Sequence, residues 1–178
     1  RDAITQETLV SSGFNVDAQA YQPVHVFFNG KYIGQLNLRE PSNRYYGTAN
    51  YGYDDDFMDA FEYSNGYFQM SGTRDYFNEL LTKSAGAADD AVYDDICNNY
   101  VDIDEFVNFW ASITYIGCSD WIGNNNNLKG YRSNINGKFR LNVLDQDWGW
   151  SNLNALAIIN NNYQNEILTI YNNLKKNP

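Results

Sequence analysis

Two Asn-Gly dipeptides, each set between β-rich runs, constrain this chain more than any other feature. Asn29-Gly30 separates the run 24–28 from the run 31–38, and Asn136-Gly137 separates 128–132 from 138–144. An Asn-Gly loop favours the mirror-image turn whose twist matches two paired strands, so each pair of runs is expected to form a hairpin. Helical signals dominate the stretch between them. The expected class is α+β, and 178 residues suit one domain with a core of its own.

Asp2 can cap a helix over 3–12, with Ile4 and Leu9 inward and Gly13 as the stop. Pro41, after Arg39-Glu40, ends the second strand of the first hairpin. Residues 42–72 mix Tyr, Gly, Asn and Asp without a period and are expected to be a long irregular connection. The acidic run Asp54-Asp55-Asp56 within it is expected to be a solvated surface. Short helices are predicted over 73–84 and 89–99. The clearest helix follows, with Asp102 and Glu105 at capping-box spacing. Ile103, Phe106, Val107, Trp110, Ile113 and Tyr115 then recur near the helical period, and Gly117 stops the run. A last amphipathic helix is expected to begin near Tyr163, with Ile167, Ile170, Tyr171 and Leu174 inward.

The net charge of -10 argues against a nucleic-acid partner, because binding a phosphate backbone needs clustered Lys and Arg. No apolar run approaches the ~20 residues of a membrane span. The lone His25 lies in a predicted strand, which excludes zinc-His clusters and disfavours a Ser-His-Asp triad. Cys97 and Cys118 form no metal-type pair and are expected to be small buried side chains.

The chemistry concentrates between Cys118 and Trp150. Asp120 follows the clearest helix, the amides Asn124 to Asn127 come next, and Asp145 and Asp147 close the second hairpin. Phe139, Leu141 and Val143 share one strand face, and period two would put Asp145 on it, with Asp147 following if the strand runs on. An apolar row ending in two carboxylates predicts a cleft. Asp and Asn oxygens suit a hard cation such as Mg²⁺ and a phosphate substrate. The order also matches a protein-kinase-like arrangement, in which an Asp, an Asn five positions later and a metal-binding Asp after a hairpin carry phosphoryl transfer. Asn125 stands five positions after Asp120. A glycosidase ranks last, because acids two apart on one strand do not flank a substrate.

Several blocks resemble the CotH (spore coat protein H) kinase family. Tyr21-Gln22-Pro23-Val24-His25-Val26-Phe27-Phe28-Asn29-Gly30-Lys31-Tyr32-Ile33-Gly34 with Leu36-Asn37-Leu38-Arg39-Glu40 is similar to its hairpin block. Val101-Asp102-Ile103-Asp104-Glu105-Phe106 resembles its Val-Asp-x-x-x-Phe helix start. Asp120-Trp121-Ile122-Gly123-Asn124-Asn125 and Leu144-Asp145-Gln146-Asp147-Trp148-Gly149-Trp150 resemble its two active-site blocks. The resemblance implies a protein-kinase-like fold, with residues 1–40 as a helix and hairpin remnant of the N-lobe and 41–178 as a mainly helical C-lobe. It implies a secreted or surface bacterial kinase that uses ATP and Mg²⁺ (or Mn²⁺) on protein Ser or Thr. Asp120 would be the catalytic carboxylate. Asn125, with Asn124 as the register alternative, and Asp145 or Asp147 would hold metal, and Glu40 and Arg39 would contact nucleotide. Family members carry a phosphate-binding lysine upstream of the part matched here and further helices downstream, so the chain is expected to be a piece of such a domain. The alternative is a non-catalytic pseudokinase or a surface binding module.

Overall fold

The computed structural model describes residues 1–118, 120–121, 125–150 and 165–178. The fold is α+β and is built on two unlike sheets. One is a two-stranded antiparallel hairpin of β2 (Tyr21–Phe28) and β3 (Lys31–Arg39). Its turn is the predicted one: Asn29 and Gly30 both have positive φ, 50° and 78°, as the mirror-image turn requires. Both faces of this hairpin meet solvent along much of their length.

The other sheet has five strands, β1 (Asp17–Ala18), β4 (Met58–Tyr63), β5 (Tyr67–Ser71), β6 (Leu128–Ser133) and β7 (Arg140–Val143), in the order β1-β7-β6-β4-β5. Only β1 and β7 pair in parallel. The helices are α1 (Asp2–Ser11), α2 (Arg44–Tyr51), α3 (Asp75–Ser84), α4 (Asp90–Asp95), α5 (Ile103–Ile116) and α6 (Glu166–Leu174). A π-helical turn, Ile96–Tyr100, continues α4. α3, α5, α6 and the five-stranded sheet enclose an aromatic core that includes Phe61, Phe77, Phe109, Trp110, Trp121 and Phe139.

The stretch 42–72 is not an irregular connection. It holds α2, the short 3-10 turn Asp55–Phe57, β4 and β5. β4 lies inside the sheet between β5 and β6, and Met58, Asp59, Ala60, Phe61 and Tyr63 are all buried. A strand covered on both faces shows no polar–apolar alternation, so its period is invisible in the sequence. Asp59 is tolerated there because the Arg132 guanidinium stands 3.3 Å away.

The second hairpin departs from its signal. Tyr131 pairs with Arg140 and Gly130 with Leu141, so the loop turns over 134–136 and the returning strand begins at Arg140 rather than Lys138. Neither Asn136 nor Gly137 takes a positive φ. Gly137 is needed for closeness instead, because a β-carbon there would collide with the Ser133 backbone. Its N–H donates to the Ser133 carbonyl at 2.8 Å. Arg132 Nε donates to the carbonyls of both Ser133 and Gly137 at 3.2 Å, which pins the loop.

α5 forms as predicted, with Asp102 accepting from the Glu105 N–H at 3.3 Å and Gly117 in the left-handed region at φ 67°. Glu105 does not close the capping box. Its carboxylate lies fully buried and accepts the Leu141 N–H on β7, 3.2 Å from each oxygen. Three expected core positions point outward: Ile4, Val107 and Tyr115 are 71%, 57% and 79% exposed, whereas Phe109 and Ile116 face the core. The expected helix start at Tyr163 lies outside the described residues. α6 is capped by Asn165, whose Oδ1 accepts from Ile167 N at 2.8 Å.

A polar network lies where β1 meets β7. Asp17 accepts from Tyr131 OH at 2.6 Å and from Arg140 Nε at 2.8 Å, and Arg140 also pairs with Asp102. Burial pushes the Glu105 carboxyl well above the usual carboxylate range, and the charge of Asp17 pushes the same way against the nearby Arg140. α5 and β7 are thereby tied together above the loops that carry Asp120 and Asp145.

Candidate active site

Asp120 follows the C-terminal end of α5, three residues after Gly117 turns the chain. Asn127 Nδ2 donates to Asp120 Oδ2 at 2.9 Å and orients that carboxylate. The sequence reading included Asn127 only as part of an amide run, because nothing local marks which amide reaches back. Asn127 and Asn125 both hold positive φ, 51° and 52°. Asn125 Oδ1 accepts from Asn165 Nδ2 at 2.7 Å, so the helix cap of α6 anchors it. An amide oxygen has two lone pairs, and one remains for a cation. Asn124 lies outside the described residues.

β7 stops at Val143, and the face alternation does not extend to the acids. Asp145 takes φ 50°, in the left-handed region, and turns out to solvent, as does Asp147. The expected continuation of the apolar row into two carboxylates therefore fails, because the chain leaves the strand before reaching them. A turn over 147–150 follows, closed by the Gly149 N–H donating to the Gln146 carbonyl at 3.1 Å. Gly149 fits because a β-carbon there would run into the Ile116 side chain. Backbone strain of this kind concentrates at functional sites.

The acids influence one another through their charges. The Asp145 carboxyl is pushed above its ordinary value first by partial desolvation, then by the charges of Asp147, Asp2 and Asp120. Burial pushes the Cys118 thiol up to about 11; the Asp120 main chain opposes this through a hydrogen bond, and the charges of Asp120, Asp145 and Asp147 add to the rise. Carboxylates from two loops some twenty-five positions apart thus act on one locality.

Arg39 and Glu40 fall at the foot of the hairpin. Arg39 pairs with Asp2 and lies 5.4 Å from the Tyr21 ring centroid, and its Nη1 is buried without a hydrogen bond. Glu40 accepts from Asn50 Nδ2 at 2.7 Å and from the Ala20 N–H at 3.2 Å. It lines a cleft of about 410 Å³ between α1, β1 and α2, together with Gln6, Asp17, Tyr21 and Asn50. Gln6 borders the cleft and donates to Asp2 at 2.7 Å, and Asp2 in turn accepts the Gln146 N–H between the two acids at 2.8 Å.

The family described as CotH kinase protein matches residues 1–177. The chain belongs to the CotH kinase family. A search of the curated proteins gave no match.

Membership makes this a kinase-like protein, and its residues can be tested against the metal and nucleotide such proteins imply. Beyond desolvation, the charges of Asp147, Asp2 and Asp120 raise the Asp145 carboxyl, and a divalent cation would offset that repulsion. Among the described residues no group of three or more His, Cys, Asp or Glu side chains forms a ready metal cage. The buried Arg39 Nη1 is a cationic donor lacking an acceptor, which fits an anionic group. Among the described residues no helix is long and apolar enough to cross a membrane.

Proposed function

We propose that the chain is the catalytic part of a secreted or surface protein kinase that moves a phosphoryl group from ATP to protein Ser or Thr. The observation that carries this reading is the family match over residues 1–177, with Asp120 held by Asn127 at 2.9 Å in the block that resembles the family's active site. Asp120 orients the acceptor hydroxyl and takes up its proton, with Asn127 holding the carboxylate in register. Asp145, Asp147 and Asn125 would hold Mg²⁺ (or Mn²⁺), with Asn124 as the register alternative to Asn125. The bound cation would neutralise charge on the phosphates. Arg39 and Glu40 would face the nucleotide from the hairpin side.

A second reading, a pseudokinase or surface binding module, is favoured by one observation. The Glu40 carboxylate and the Asn125 amide oxygen already have protein partners. Calorimetry with Mg·ATP separates the two: a kinase gives heat that vanishes with EDTA, and a pure binding module gives none. Asp120→Ala and Asp147→Ala are each expected to lower phosphoryl transfer by ~10²-fold or more while leaving the fold intact. Wild-type turnover in both variants would reject the assignment.

A further inference from the structure

Asp2 was expected only to cap α1, and it makes no such bond, since the residue before α1 is Arg1 and no side-chain cap forms there. The Asp2 carboxylate faces three different parts of the fold. Its Oδ1 accepts the main-chain N–H of Gln146 at 2.8 Å and Gln6 Nε2 at 2.7 Å. Its Oδ2 pairs with Arg39 Nη2 at the foot of the hairpin. Gln6 in turn accepts the Gln19 N–H at 2.6 Å, just before the hairpin begins.

Gln146 stands between Asp145 and Asp147. Its side-chain Nε2 donates to the Leu144 carbonyl at 2.7 Å, and its own carbonyl receives Gly149. Trp150 at the far end of the turn is held by the Ile116 carbonyl at 2.7 Å and by Thr5 at 2.8 Å, and the bond to Asp2 holds the main chain at Gln146, between the two acids. Asp145 holds a left-handed backbone, which Asp tolerates better than most residues but still at a cost, and a bond from outside helps to hold it.

We propose that Asp2 is a positioning residue, which fixes the Gln146 main chain and so sets the Asp145 and Asp147 carboxylates relative to each other and to Arg39. The role rests on the kinase reading of the acids, though the tether itself does not. Groups that orient metal-holding carboxylates from one bond away matter almost as much as the ligands. Arg39 serves here as the counter-ion that aims the Asp2 carboxylate. The carboxylate accepts from hairpin, helix and acid turn together.

The test compares Asp2→Ala with Asp2→Asn, whose amide oxygen can still accept from Gln146. Amide hydrogen exchange at Gln146, read by NMR, is expected to quicken by about tenfold in Asp2→Ala and to stay near wild type in Asp2→Asn. Steady-state kinetics on the same proteins should show kcat down by roughly 10- to 100-fold in Asp2→Ala with KM for ATP little changed, and Asp2→Asn should recover most of it. Unchanged Gln146 exchange in Asp2→Ala overturns the proposal, and so does an Asp2→Asn variant as impaired as Asp2→Ala. A wild-type protein without any phosphoryl transfer sinks the kinase reading, and the exchange data still decide whether Asp2 holds the turn.

Discussion

The two hairpins carry the same dipeptide and behave in opposite ways. β2–β3 obeys its turn: Asn29-Gly30 sits in the left-handed region and the strands run out from it in the expected register, with one bulge after Val26. β6–β7 ignores its turn, because its register comes from neighbours rather than from Asn136-Gly137. β6 is paired along its whole length with β4, Glu105 takes the Leu141 N–H, and Arg140 is locked to Asp17 and Asp102. A turn preference is worth about 1 kcal/mol, whereas breaking a buried ion pair costs ~3–5 kcal/mol. Local chemistry therefore sets the exposed hairpin, and burial sets the other.

The contrast can be broken in four places. The largest effect is expected from Arg140→Met, which leaves Asp17 and Asp102 without their cation and should cost about 3–5 kcal/mol by urea unfolding. A loss under about 1 kcal/mol would mean that burial does not govern β7. Next comes Glu105→Gln, read through pH. The folded state keeps the Glu105 proton to higher pH than the unfolded chain, so the folded state binds more protons from the ordinary carboxylate range upward. The stability this contributes is complete below that range and is lost as pH rises from there through the raised folded-state value. Asp17, Asp102 and Arg140 face this group from β1, the α5 cap and β7. Unfolding at about pH 4 and about pH 8 should show a shallower decline in the variant than in wild type, and equal slopes would place the titration elsewhere.

Gly30→Ala should weaken the exposed hairpin by roughly 1 kcal/mol, because alanine resists φ 78°. The loss should be confined to amide exchange in β2 and β3, since that sheet stands apart from the main one. Global unfolding that moved equally would show the two sheets to be one cooperative unit. The smallest effect is expected at Leu36→Ala, on the open surface of β3, where the midpoint should shift by no more than about 0.5 kcal/mol. A larger loss would reveal a cover over that face.

The same division runs through the rest of the molecule. α3, α4, α5 and the first hairpin were legible because each carries its own signal: a cap at Asp89 or Asp102, a period, a stop at Gly117. β4 was not, because Met58 to Tyr63 is buried on both faces and shows no alternation. At the site, Asp120, Asn125, Asp145 and Asp147 could be named from motif spacing. Asn127 and Asp2 could not, because their partners lie seven and 144 positions away.

What the amino-acid order decided alone was everything settled within a few residues of backbone: the Asn29-Gly30 turn, the Asp102 cap, the left-handed stop at Gly117 and the motif blocks that mark the family. Tertiary structure decided the register of β7, the outward swing of Asp145 and the joining of Asp2 to Gln146. Those outcomes depend on desolvation and pairing summed over distant groups, and such sums outweigh any single turn preference once the chain is packed.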